Sequence, residues 1–218
     1  MTLDITVRGS AEQRYPAERA TVSMSAAIEG AERQQVFKDT VAIHDSLTSQ
    51  LRELVELRAV GPWSSDQVRV FSHRPWDADG KRGATVHVAR VQISAEFTDF
   101  ERLSGFLDFW SGTDGVEVGG ISWDVGVKSR RSYEAEIRKA AVDDAIAKAQ
   151  SYANAVRRGK VVAVELADPG MLTQQPEGGA YPMAKASFSD TSTGGPELDL
   201  TPADIVIHVD VDARFVAE

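Results

Sequence analysis

Between Tyr133 and Asp168 the chain reads YEAEIRKAAVDDAIAKAQSYANAVRRGKVVAVELAD, with Ala141, Ala145, Ala149 and Ala153 recurring at every fourth position. A repeat of four drifts slowly around a helix of about 3.6 residues per turn, so these alanines form one stripe of small side chains. A stripe of this kind lets a helix lie close against a sheet or another helix. Gly159-Lys160 breaks the pattern, and the β-branched run from Val161 to Leu166 reads as a strand.

The rest of the chain alternates strands with helices. Leu3, Ile5 and Val7 alternate with polar residues, and Gly9 and Pro16 punctuate a turn region. Ala20, Val22, Met24, Ala26 and Ile28 then alternate again, which predicts an opening antiparallel pair. From Ala31 to Arg58 the positions Val36, Thr40, Ile43, Leu47, Leu51 and Leu54 keep helical spacing, and Gly61-Pro62 reads as the stop. A second strand pair carries Val68 and Val70, then Val86 to Phe97. Its phase changes between Val88 and Val91, as a β-bulge would cause. Asp77 to Gly80 reads as the hairpin tip between them. Asp99 is placed to cap a short helix carrying Leu103, Phe106, Leu107 and Trp110. Val116 to Val127 reads as one strand before the alanine-striped helix, and Ile205 to Phe215 closes the chain as another.

The expected order is therefore β-β-α-β-β-α-β-α-β-loop-β. Alternating strands with one face covered by helices give an α+β fold of mostly antiparallel sheets. At 218 residues we expect a single domain spanning 1–218. Residues 168–200 are rich in Gly, Pro, Ser, Thr and Gln, and read as a mobile loop with either no partner or a lid or oligomer-arm role.

Several function classes are disfavoured by composition. A formal net charge of -9 argues against a nucleic-acid binder, which needs a basic face. With no cysteine there is no disulfide, thiolate metal site or cysteine nucleophile. No apolar run reaches the length of a membrane span. The first residues, MTLDITVRGS, lack the pattern of a secretory signal, so a cytoplasmic location is expected.

Three local sequences, in this order of elements, resemble the SIMPL-domain (DUF541) family. The first is ITVRGSAEQRYPAERATVSMSAAIEG, residues 5–30. The second and most specific is the alanine-striped helix running through Gly159-Lys160-Val161 into its strand. The third is Thr201-Pro202-Ala203-Asp204-Ile205, ahead of the last strand. The connection 154–159 is shorter than is usual in the family, and the hairpin from Trp76 to Arg82 lacks the usual Tyr. The resemblance implies association with stress responses and, for some relatives, large ring-like or channel-like oligomers. It brings no catalytic motif, so no active-site residues carry over.

The residues themselves offer few sites. His44, His73, His87 and His208 lack zinc-motif spacing, although His73 and His87 flank one hairpin and could face each other. Asp77-x-Asp79-Gly80 fails as a calcium loop, because Val88 stands where a bidentate Glu is needed. Asp143 and Asp144 diverge by about 100° on a helix and read as a solvated face. Lys128, Arg130 and Arg131 lie at the entrance to the striped helix. Cations are unfavourable there, so the cluster is a candidate anion-binding site, set against ordinary pairing with acids such as Glu134. Trp63 and Trp76, beside prolines, are candidate interface residues, whereas Trp110 and Trp123 read as core. No cofactor, metal or catalytic residue is expected. The leading expectation is a non-enzymatic SIMPL-type homo-oligomer, with a further protein partner as an option and a stress-linked or scaffolding role. The alternative is a small-molecule or anion-binding protein using a helix–sheet pocket.

Overall fold

A computed structural model describes residues 2–76, 80–172 and 200–218. Among these residues, eight strands and three helices follow the order β1 (Leu3–Tyr15), β2 (Arg19–Gly30), α1 (Arg33–Glu56), β3 (Val60–Ser65), β4 (Arg69–His73), β5 (Val86–Phe97), α2 (Phe100–Ser111), β6 (Val116–Asp124), α3 (Val127–Ala155), β7 (Val161–Ala167) and β8 (Ile205–Ala217). All strand pairs are antiparallel, and the fold is α+β as expected. Residues 77–79 of the expected hairpin tip and most of the 168–200 loop, residues 173–199, lie outside the described residues.

The chain forms two compact units. The first is assembled from both ends of the sequence, in a sheet of order β1-β8-β7 packed against α3. The second holds the described residues of 17–124 and residues 200–203, in a sheet of order β3-β5-β2-β6 with β4 also on β5.

This division corrects the expected opening pair. β1 does not pair β2; it runs unbroken through Gly9 and pairs β8 from Leu3↔Ala217 to Tyr15↔Ile205. Alternation specifies a strand but not its partner, and Pro16 marks where the chain leaves one unit for the other.

In the first unit the alanine stripe does what its spacing implies. Ile137, Ala141, Ala145, Ala149 and Ala153 are all buried, and α3 packs on β1 and β8. Gly9 lies directly beneath. A Cβ on it would overlap the Ala141 carbonyl oxygen and stand 2.7 Å from the Ala145 Cβ. Ile5, Ala213, Phe215 and Ala217 complete that part of the core. At the other end, Tyr15 stacks on Tyr133 with ring centroids 3.7 Å apart. The Tyr15 hydroxyl is buried with no hydrogen-bond partner among the described residues. A buried unpaired hydroxyl costs roughly 1–3 kcal/mol. Tyr15→Phe should therefore leave the melting temperature unchanged or raise it, as calorimetry would show.

In the second unit α1 and α2 cover one face. Leu47, Leu51, Leu103, Phe106 and Trp110 meet Val22, Ile93 and Phe97 from the sheet. Asp99 caps α2 as expected, its carboxylate accepting the Arg102 N–H at 3.0 Å. Trp110 is buried and Trp123 is half-buried against the same core.

Three further expectations are corrected. α1 is not stopped by Gly61-Pro62, which lies inside β3, an edge strand where proline is tolerated. The stop is Arg58, in the left-handed conformation at φ 58°. The Arg58 N–H donates to Val55 and the Ala59 N–H to Leu54, closing the last turn. α3 ends the same way at Arg157, φ 60°. Left-handed backbone favours glycine, so Arg58→Gly and Arg157→Gly should each stabilise by about 0.5–1 kcal/mol in denaturant melts.

The expected bulge between Val88 and Val91 is absent. β5 keeps continuous register with β2, and Val88 simply occupies the face opposite Ala89 and Val91. Bulges lie elsewhere: two residues of β6, Gly119-Gly120, oppose Ser23. Finally β6 ends at Asp124, and Val127 begins α3 rather than extending the strand.

Candidate functional site

The sheet of the first unit has two outer strands, β1 and β7, and they are treated differently. An outer strand presents unpaired N–H and C=O groups that template pairing with another chain. On β1 the middle of that edge is closed by α3. The Asp144 carboxylate accepts the Ser10 N–H at 2.8 Å, and the Lys148 ammonium donates to the Arg8 carbonyl at 3.1 Å. The two side chains also pair with each other at 2.6 Å, one helical turn apart. Asp144 is therefore more than part of a solvated face, and the Lys148 and Ser10 hydrogen bonds hold its carboxyl below the usual range.

Among the described residues β7 receives one such contact, at its start, where Gln150 Oε1 accepts the Val161 N–H at 3.1 Å. Among the same residues no other side chain hydrogen-bonds its backbone, and Glu165 pairs instead with Arg214 of β8 at 3.2 Å. Val162, Val164 and Leu166 are 63, 54 and 53 % exposed. A register shift against β8 leaves Val164 without a partner residue on that strand. Basic residues precede the strand (Arg157, Arg158, Lys160), and acidic ones, Glu165 and Asp168, lie at its other end.

The outward face of the same sheet carries a buried carboxylate. Asp212 accepts from Arg8 Nε at 2.7 Å and from the Gly170 N–H at 2.7 Å. The Arg8 hydrogen bond, opposed by burial and helped by Gly170, holds its pKa below the ordinary carboxylate value. A depressed folded-state pKa adds stability above the unfolded value and loses it as pH falls through the folded one. Asp212→Asn should accordingly flatten the loss of thermal stability of the wild type below the ordinary carboxylate range, measured by acid melting curves.

The residues singled out in the sequence do not come together as one site. Lys128, Arg130 and Arg131 lie in the first two turns of α3, whose cap is Gly126. Lys128 and Arg131 are spaced three apart and share a face, while Arg130 diverges from Arg131 by about 100°. Trp63 sits half-buried against the core of the second unit under Arg52, 5.8 Å from its centroid. Trp76 is 67 % exposed, with Arg82 over its ring. His73 opposes Val86 and His87 opposes Ser72, so the two histidines point to opposite faces and do not meet. Among the described residues no group of three His, Asp or Glu side chains could hold a metal ion, and no helix is long and apolar enough to cross a membrane.

The family model for SIMPL, described as a protein of unknown function (DUF541), matches residues 5–215. The chain belongs to the SIMPL family. No curated protein matches it. The match covers both units, including β1 and β8, which join the ends of this SIMPL chain in one sheet.

A second surface of this SIMPL chain has no counterpart among the sequence expectations. On β3, β5 and β2 the residues Ser64, Ser94 and Ser23 stand directly opposite one another. They lie on the face turned away from α1 and α2, because Val22, Met24, Ile93 and Ala95 occupy the alternate, core-facing positions. With Gly119 beside Ser23, this row floors a trough of about 360 Å³.

Proposed function

We propose that this SIMPL chain is a non-enzymatic, self-associating protein with a scaffolding or stress-linked role, and that the free edge of β7 is its association surface. The observation that carries the reading is the contrast between edges. β1 is closed at its middle by Asp144 and Lys148, while β7 offers exposed Val162, Val164 and Leu166 along a backbone edge that no other strand pairs among the described residues. Edges of that kind are normally blunted or paired.

The occupant proposed is a second copy of β7. Antiparallel pairing of the two edges about a twofold axis at Val164 would bring Lys160 of each copy near Asp168 of the other. The charge pattern is thus complementary to itself. A bulge shortens the regular stretch of edge, so the pairing is expected to be short and its affinity modest. Light scattering and sedimentation across a wide concentration range test the reading. A rise in mass with concentration supports it, and a strict monomer at high concentration overturns it. The stress link comes from the family resemblance, and a deletion strain that tolerates oxidant like its parent would remove it.

A further inference from the structure

We propose that the trough on the uncovered face of the second unit's sheet binds a neutral saccharide. Its floor is lined by hydrogen-bonding side chains. Among the described residues, no side-chain hydrogen bond engages the hydroxyls of Ser64, Ser94 and Ser23 or the amide of Gln92. Each serine hydroxyl offers one donor and two acceptor sites, and the Gln92 amide offers both kinds. A ligand bearing many hydroxyl groups is the chemical complement of such a floor.

Backbone geometry keeps the floor low. The Gly119-Gly120 bulge faces Ser23, and a Cβ on Gly119 would stand 2.8 Å from the Ser23 carbonyl oxygen. Side chains larger than hydrogen are thus kept off that end of the row. Ser64, Ser94 and Ser23 span two strand spacings, about 10 Å, which suits two or three linked sugar rings lying across the strands.

Charge decides between neutral and acidic sugars. On one side Arg90 is already matched by Glu117 at 2.6 Å, and both touch the Ser25 hydroxyl. On the other, Arg19 is held between Glu96 and Asp124 at 3.0 and 2.6 Å. Asp66, which also lines the trough, makes no ion pair among the described residues. A free carboxylate accepts strongly from sugar hydroxyls and repels an anionic ligand. With no aromatic side chain on the floor to stack on a ring, affinity should be weak, with a dissociation constant of about 1 mM and a standard free energy of about −4 kcal/mol.

The test is saturation-transfer NMR and calorimetry on the whole chain with maltotriose, cellotriose and chitotriose, and with trigalacturonate as the acidic comparison. Binding of at least one neutral sugar, with trigalacturonate weaker, is expected. Ser94→Leu should fill the centre of the floor and weaken that binding about tenfold without lowering the melting temperature, and Asp66→Asn should weaken it severalfold. Should Ser94→Leu fail to fold, Ser64→Ala with Asp66→Asn makes the same comparison from the exposed side. Absence of saturation transfer from every neutral sugar overturns the proposal. So does tighter binding of trigalacturonate, or unchanged affinity in folded variants.

Discussion

Gly9→Ala should be among the most damaging single-methyl additions in this protein, lowering stability by about 3 kcal/mol or more. The atoms it meets leave no way out. The new Cβ would overlap the Ala141 carbonyl oxygen and stand 2.7 Å from both the backbone nitrogen and the Cβ of Ala145. Two of these three are helix backbone, which can retreat only if α3 lifts off β1. Lifting it would open contacts along the buried alanine stripe. Pairing the change with Ala145→Gly should rescue little, because that removes the Cβ and leaves the carbonyl in place. Gly105→Ala is the control of opposite sign. Gly105 is exposed inside α2 with open space around it, so added helix propensity should stabilise by about 0.5–1 kcal/mol. Urea melts of the three variants against wild type check all of this at once. A Gly9→Ala melt matching wild type would mean that the stripe does not set the distance between α3 and β1.

The stripe was legible because helical periodicity and side-chain size are both written locally. The same holds for the Asp99 cap, the buried face of α1 and the alternation of β2 and β8. What the sequence did not reveal is partnership. Alternation in β1 says that a strand exists, yet its partner β8 lies at the other end of the chain. Gly61-Pro62 reads as a helix stop because both residues are poor helix formers. Only the edge position of β3 makes a strand there acceptable, while the true stop is an arginine held at positive φ, a conformation its residue type disfavours. Asp144 and Lys148 look like any pair four residues apart on a helix. Their role as a seal depends on which carbonyl and N–H lie alongside. The serine trough was invisible for the same reason, since residues 23, 64 and 94 share nothing but a register. Lys128, Arg130 and Arg131 were visible as a cluster, but on the helix they spread around its axis instead of converging.

Val164→Lys should abolish self-association while leaving the fold intact. In the proposed pairing the two copies of Val164 lie opposite each other on the twofold axis, so the substitution sets like charges face to face across the new ladder. The residue is 54 % exposed in the single chain, and surface changes of that kind usually move stability by less than about 0.5 kcal/mol. Association should weaken about a hundredfold or more, roughly 2.8 kcal/mol at 1.4 kcal/mol per tenfold. Charge reversal then tests the register itself. Lys160→Glu alone places a carboxylate opposite Asp168 of the other copy and should weaken the pair. Adding Asp168→Lys restores opposite charges at both ends, so the double variant should recover the wild-type mass at equal concentration. Ionic strength gives a further check, because these exposed end pairs are screened by salt whereas the backbone hydrogen bonds of the paired edges are not. Sedimentation of the four proteins at low and high salt separates the outcomes. If Val164→Lys still associates like wild type, β7 is not the interface. If Val164→Lys dissociates but the double charge variant does not recover, the edge is correct and the twofold at Val164 is wrong.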